Sequence, residues 1–200
     1  LVSIGAFREN QFAYRPKHGA RDAVLYFVLC WILAIAFGDR VAVYCSDVSG
    51  AFDKVSAQRL VRKLRRWMVH PRFLKVMESW LQPRIAHVVV SGAKSVEIPM
   101  RDMVYQGTVW GPPFWNTYFS DSAPTVRGYG YQDIFYADDL NAFKSFSKSV
   151  SDAIIFDDLR AVQSELHRWG EANQVEFDPS KESFHILSRS NSVGEPFKIL

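Results

Sequence analysis

The spacing of apolar residues along the chain predicts both helices and strands. The clearest helix is predicted from Asp152 to Ala172, where apolar residues recur at the 3.6-residue spacing of an amphipathic helix. These apolar positions are Ile155, Leu159, Val162, Leu166 and Trp169. One face of this helix is therefore expected to pack against a core.

Shorter apolar stretches, separated by Gly, Pro and polar residues, predict the remaining elements. The predicted helices are Ala20 to Ala36 with Gly38 after its end, Ser56 to about Met68 with Ser56 as its cap, Pro71 to about Leu81, and one that begins within Phe114 to Phe119. The predicted strands are Val41 to Cys45, Ile85 to Val90, Ser95 to Met100, Tyr131 to Tyr136, Leu140 to Phe146, Val175 to Phe177 and Ser183 to Leu187. Helices and antiparallel hairpins in mixed order indicate an α+β fold.

The most apolar run, Val24 to Phe37, has to be tested as a membrane span. It is shorter than the roughly 18 to 20 residues that cross a bilayer, and charged residues flank it on both sides. We therefore expect a buried helix and no association with a membrane.

Composition adds little about function. The 200 residues are 48% hydrophobic and 22% charged, which is ordinary for a globular protein and argues against disorder. The net charge of +3 is compatible with a nucleic-acid partner but is too small to predict one. Cys30 and Cys45 lie in apolar segments without the spacing of a metal site, so we expect reduced core thiols and an intracellular protein.

Three aspartates carry the strongest chemical signal. Asp138 and Asp139 are adjacent in the tight turn between two predicted strands, and Asp47 follows the end of another. Each alone is also compatible with an ordinary structural role, because Asp is common in turns and accepts backbone N–H bonds. Together they are the kind of carboxylate set that could hold two Mg²⁺ ions for phosphoryl transfer.

Five sequence motifs, in order along the chain, resemble those of reverse transcriptases from the non-LTR retrotransposon and group II intron branch. They are Phe12-Ala13-Tyr14-Arg15-Pro16 with Arg21-Asp22-Ala23 in the fingers, Ser46-Asp47 to Ala51-Phe52-Asp53 in the palm, Tyr105-Gln106-Gly107 with Gly111-Pro112-Pro113, Tyr136-Ala137-Asp138-Asp139, and Asn173 with Phe177 to Glu182. In that family the fourth motif is Tyr-X-Asp-Asp. Tyr105 departs from the pattern, which often has Pro there, and Asn141 stands near positions that are usually small or apolar.

The resemblance implies a role for each matching residue. Asp47 and Asp138 would be the principal metal ligands, with Asp139 in a supporting role. The residues expected to bind the incoming nucleotide are Phe52, Gln106, Gly107 and Lys181. Phe52 would exclude a ribose 2′-hydroxyl and Lys181 would assist the leaving pyrophosphate, although a core aromatic and a solvated loop lysine are the alternatives. Nucleic acid would contact Arg15, Lys17 and Arg21.

The implied fold is the palm of a right-hand polymerase, an antiparallel sheet backed by helices. Residues 1–40 would be part of the fingers, residues 41–200 the palm with inserted fingers elements, and the thumb would lie outside the chain. The implied function is RNA-directed DNA polymerisation: dNTPs are added to a DNA primer on an RNA template, with two Mg²⁺ ions that Mn²⁺ could replace. The protein would be intracellular, and nuclear if the element is eukaryotic.

Three alternatives stay open. A group II intron-type reverse transcriptase shares the palm motifs. A viral RNA-dependent RNA polymerase is disfavoured because its hairpin usually begins Gly-Asp-Asp. A decayed fragment that only folds or binds nucleic acid would retain the motifs without the chemistry.

Overall fold

The computed structural model describes residue 7, residues 9–101 and 103–189, and the backbone of residues 197–198. The α-helices are α1 (Ala20–Ala36), α2 (Ala57–Arg66), α3 (Pro71–Trp80), α4 (Gly111–Phe119), α5 (Ala123–Arg127) and α6 (Asp152–Asn173). Short 3₁₀ helices span Ala51–Lys54 and Ser120–Ser122. The strands are β1 (Arg40–Ser46), β2 (Arg84–Ala86), β3 (Val89–Val90), β4 (Ala93–Lys94), β5 (Ile98–Met100), β6 (Gln132–Tyr136), β7 (Asp139–Phe146), β8 (Ser183–Leu187) and β9 (Phe197–Lys198).

Five strands form one antiparallel sheet in the order β6-β7-β1-β8-β9. The β6–β7 hairpin was predicted from its two apolar stretches, but its place beside β1 depends on long-range pairing. The register pairs Ser46 of β1 with Leu140 of β7, and Cys45 of β1 with Ser183 of β8. The mixture of helices with an antiparallel sheet confirms the predicted α+β palm class.

Helices cover both faces of this sheet. On one face, Tyr44, Leu140 and Ala142 belong to the main core, together with the apolar stripe of α6 predicted from its periodicity. On the other face, Val43 and Phe143 form a second core with residues of α1. Strands buried on both faces lose the alternation of polar and apolar residues, which explains the continuous apolar run in β1.

Helix α1 is only half covered, so the prediction of a buried helix was wrong. Its Phe27 and Trp31 pack on the sheet, but Leu29 and Leu33 on its outer side are about half exposed and Phe37 is 85% exposed. Because both sides of α1 are apolar, periodicity could not identify the buried one. Among the described residues, no helix is long and apolar enough to cross a membrane.

Other local predictions also needed correction. Val175 to Phe177 is not a strand, since Phe177 makes only an isolated bridge with Val48. Ser56 occupies the N-cap position of α2 without a side-chain hydrogen bond to the helix. The hairpin around Ser91 is divided into two short ladders, β2–β5 and β3–β4. Helix α5 was not predicted, and the division of the chain at residues 40 and 41 stays a prediction.

Candidate active site

The sheet registers bring three of the predicted site residues together at one end of β1. Continued one residue beyond Ser46, they place Asp47 opposite Asp139 on one side and opposite Lys181 on the other. The Asp47 carboxylate forms an ion pair with the Lys181 ammonium. Side chains more than ninety residues apart in sequence therefore meet because β1 lies between β7 and β8.

Asp138 lies in the two-residue turn that connects β6 to β7, because Tyr136 pairs directly with Asp139. The first turn residue, Ala137, has a left-handed backbone with φ of 58°. A positive φ at this position is usual in tight hairpin turns but is disfavoured for residues with a Cβ. The turn therefore places Asp138 at the end of the hairpin on a constrained backbone.

The aspartates influence one another electrostatically. Partial burial raises the pKa of Asp138, and the Asp47 charge raises it further. The pKa of Asp139 is raised mainly by partial burial, then by Asp47 and Asp138, while Lys181 lowers the pKa of both residues. Repulsion of this kind is what neighbouring carboxylates exert on one another, and a cation would relieve it.

The loop that carries Lys181 is hydrogen-bonded to the segment, directly after β1, that carries Asp47. The Asp178 N–H donates to the Asp47 carbonyl oxygen at 2.9 Å, and the Ser49 N–H donates to the Glu176 carbonyl oxygen at 2.8 Å. The ion pair with Asp47 raises the pKa of Lys181, although 60% of the Lys181 side chain is exposed. Lys181 is thus held at the cluster by the backbone of its loop and by its ion pair with Asp47.

Phe52 lies in the 3₁₀ helix that follows Asp47. Its ring stacks on Trp115 with centroids 6.1 Å apart. A Cβ at Gly111 would approach the Phe52 ring to 3.2 Å and the Tyr105 carbonyl oxygen to 3.1 Å, so a glycine is needed there for close packing. Phe52 is partly buried and packs against the main core.

Gln106 and Gly107 form an exposed turn before α4. Gly107 has φ of 74°, and nothing lies within 4 Å of a Cβ built on it. The glycine is therefore required by its backbone conformation. No contact ties Gln106 or Gly107 to the aspartates within the described residues.

The three basic residues of the N-terminal region differ in their surroundings. Arg15 donates to the carbonyl oxygens of Glu9 and Gln11 and so stabilises its own loop. Lys17 and Arg21 are exposed near the start of α1. Tyr14, in the same loop, lies near the cluster, since its pKa is raised first by burial and then by Asp138.

Sequence reasoning missed a buried polar network next to the Lys181 loop. Glu182 is 4% exposed and accepts hydrogen bonds from the Tyr44 hydroxyl and from Gln163 Nε2, the latter at 3.0 Å. His167 Nε2 lies 2.8 Å from Glu182 Oε1, and the His167 ring stacks on Phe177. The signal available in the sequence was an acid, Glu182, placed directly before an apolar strand.

The family assignment follows from comparison with known proteins. Residues 1–199 match the family described as Reverse transcriptase (RNA-dependent DNA polymerase). The chain belongs to the reverse transcriptase family. The predicted recognition is thereby confirmed.

Two Drosophila melanogaster relatives place this reverse transcriptase near non-LTR elements. The chain is 32% identical over 183 residues, 88% of its length, to the RNA-directed DNA polymerase from mobile element jockey. It is 30% identical over 142 residues, 66% of its length, to the probable RNA-directed DNA polymerase from transposon BS. The matched regions cover 19% and 15% of those two relatives.

Solved structures support the fold alone. One is apo telomerase from Candida tropicalis, truncated from its C-terminal domain, with a TM-score of 0.68 and 12% sequence identity. The match covers 98% of this chain and 42% of the telomerase chain. Another is telomerase from Candida tropicalis in complex with a fragment of telomeric RNA, with a TM-score of 0.65 and 10% sequence identity. That match covers 96% of this chain and 33% of the telomerase chain.

The reverse transcriptase family depends on divalent metal ions, and the cluster suits them chemically. Three carboxylates are hard oxygen ligands of the kind that Mg²⁺ and Mn²⁺ prefer. Within residues 9–101 and 103–189, no three acidic, histidine or cysteine side chains already converge as a complete ligand set. Asp47 is also paired with Lys181 through its Oδ2 atom.

Proposed function

We propose that the chain is the catalytic core of an RNA-directed DNA polymerase of the non-LTR retrotransposon type. It would bind an RNA template and a DNA primer and add dNTPs to the primer 3′-hydroxyl. The observation that carries the proposal is the placement of Asp47, Asp138 and Asp139 at the same end of the sheet by the β1–β7 register and the β6–β7 turn, in a chain of the reverse transcriptase family. The two Drosophila relatives favour a non-LTR element over a group II intron.

The proposed site holds two Mg²⁺ ions on Asp47 and Asp138, with Asp139 in support, and Mn²⁺ can replace them. When bound, the ions supply charge stabilisation for the attacking and leaving oxygens of an in-line displacement. The remaining ligands would come from water and the substrate phosphates, as is usual for Mg²⁺ in polymerases. A protein that supplies only some of the metal ligands is compatible with water and substrate phosphates supplying the others.

The chain's own residues would position and select the nucleotide. Phe52, backed by Trp115, has the rigid support that a side chain needs to exclude a ribose 2′-hydroxyl. Lys181, displaced from Asp47, would neutralise the charge of the departing pyrophosphate. Gln106 and Gly107 would border the nucleotide, and Arg15, Lys17 and Arg21 would lie towards the nucleic-acid backbone, whose contacts are independent of sequence.

Primer extension on an RNA template tests the proposal. The polypeptide that carries these 200 residues is compared with its Asp138→Ala variant, in the presence of Mg²⁺ and dNTPs. Asp157→Ala is the matched control, because the Asp157 side chain is 76% exposed on α6. We expect extension by the parent and by Asp157→Ala, and none by Asp138→Ala.

Two other outcomes of the primer-extension experiment would contradict the proposal. Extension retained by Asp138→Ala would remove the aspartate cluster from the mechanism. A folded parent protein that extends no primer would instead favour a decayed copy, in which the motifs record ancestry without activity.

A further inference from the structure

Residues 10–12 lie along the outer edge of β6, close to the turn that carries Asp138. Gln11 forms a parallel bridge with Phe135. The Phe12 N–H donates to the Phe135 carbonyl oxygen at 2.9 Å, and the Phe135 N–H donates to the Asn10 carbonyl oxygen at 2.8 Å. This pairing holds Gln11 beside the last residues of β6, where its side chain can reach the turn.

The side chain of Gln11 binds both backbone groups of Ala137. Its Oε1 accepts from the Ala137 N–H at 3.1 Å, and its Nε2 donates to the Ala137 carbonyl oxygen at 3.3 Å. The same Oε1 accepts from the Ala13 N–H at 3.0 Å. Gln11 is only 4% exposed, so these bonds replace water that cannot reach its amide.

Helix α4 completes the arrangement from the other side. The Trp115 indole N–H donates to the Ala137 carbonyl oxygen at 3.0 Å. The next residue, Asn116, donates to the Ala13 carbonyl oxygen at 3.0 Å. One turn of α4 thus holds the Ala137 peptide and also the segment from which Gln11 projects.

Ala137 is the residue of the turn that most needs such support. Its φ of 58° is a left-handed conformation that is unfavourable for a residue with a Cβ. The hydrogen bonds from Gln11 and Trp115 to the Ala137 peptide favour this conformation. Asp138 is the next residue, so the position of the Ala137 peptide determines the position from which the Asp138 side chain projects.

We propose that Gln11 is a positioning residue: it fixes the Ala137 peptide and thereby the orientation of Asp138 in the aspartate cluster. The catalytic consequence rests on the proposed polymerase function, while the structural consequence does not. Misplacement of a reacting group by about 1 Å can reduce a rate roughly a hundredfold. A residue far from Asp138 in sequence therefore controls the geometry of the site.

The experiment compares Gln11→Ala with Asn10→Ala. Asn10 is the matched control, because its side chain also bonds to β6, donating to the Asp133 carbonyl oxygen at 2.8 Å, but does not touch the turn. Two quantities are measured: hydrogen exchange at the Ala137 amide, and steady-state kcat and KM for a dNTP. Gln11→Asn is included because it keeps a polar side chain in the buried position but is too short to bind both groups of Ala137.

We expect Gln11→Ala to accelerate exchange of the Ala137 amide roughly tenfold, as loss of one hydrogen bond predicts. We expect kcat to fall roughly ten- to a hundredfold while KM stays within about twofold, because binding groups are untouched. Gln11→Asn should show the same pattern, and Asn10→Ala should change neither quantity.

The proposal is overturned if exchange at Ala137 is unchanged in both Gln11 variants. It is also overturned if both Gln11 variants and Asn10→Ala reduce kcat equally, since that would indicate a general loss of packing. If the parent protein shows no polymerase activity, the proposed function fails, and the exchange measurement still decides whether Gln11 holds the turn.

Discussion

Gly170, near the end of α6, provides a sharp test of how this helix supports the site. An added Cβ would lie 2.5 Å from the Val175 carbonyl oxygen and 3.1 Å from the Phe177 ring. Helix propensity alone predicts that Gly170→Ala is stabilising by about 1 kcal/mol. The structure predicts the opposite sign, because backbone must move to accept the methyl group.

The magnitude follows from the contacts. The Val175 oxygen would have to retreat by roughly half an ångström, yet the Val175 N–H is bonded to the Gly170 carbonyl oxygen at 2.8 Å. Overpacking of this kind costs about 1–3 kcal/mol. After subtraction of the gain in propensity, we expect a net loss of about 1 kcal/mol, which lowers Tm by about 2–4 °C in a chain of this size.

Thermal unfolding of Gly170→Ala beside Ala172→Gly measures the effect. Ala172 is exposed in the same helical turn, so Ala172→Gly reports the helix propensity alone and should lower stability by about 0.5–1 kcal/mol. An increase in Tm for Gly170→Ala would refute the reasoning, since it would show that residues 175–177 yield to the methyl group at little cost.

Three further predictions concern buried charge, pH and selectivity. Arg127→Met leaves the fully buried Asp133 carboxylate unpaired and should lower the free energy of unfolding, measured in urea, by about 2 kcal/mol; the loss is moderated because Arg127 is 43% exposed. The hydrogen bond that the His167 ring donates to the Glu182 carboxylate raises the pKa of His167, so its contribution to stability is full below the unfolded pKa and is lost as pH rises through the folded value. His167→Gln should therefore reduce stability more at pH 6 than at pH 9, and equal losses would contradict this. Phe52→Val should increase the use of rNTPs relative to dNTPs by at least about tenfold in primer extension, and an unchanged ratio would remove the selective role of Phe52.

The sequence was most informative where local signals and chemistry coincide. The β6–β7 hairpin and α6 were predicted almost to their ends, because apolar periodicity is a local property. The cluster of Asp47, Asp138 and Asp139 was also predicted, from acids placed at strand ends and from motif order. Their catalytic roles stay predictions until the variants are measured.

What could not be predicted depends on pairing over long distances. The ion pair of Lys181 with Asp47 follows from the β1–β8 register, which apolar patterns do not specify. The bonds from Gln11 to Ala137, 126 residues further along the chain, depend on the turn conformation and on the edge pairing of Gln11 with Phe135. The exposed side of α1 was misjudged because both sides of that helix are equally apolar.

The central position of β1 has a consequence for how the protein folds. Its sheet neighbours β7 and β8 follow late in the chain, and Lys181 pairs with Asp47 across 134 residues. Closing such long loops is entropically expensive, and proteins dominated by distant contacts fold slowly. During synthesis, Asp47 therefore emerges long before the residues that surround it. The aspartate cluster forms only when β7 has paired with β1, and the ion pair of Lys181 with Asp47 forms only when β8 has joined on the other side, so release of either neighbour of β1 disrupts the site.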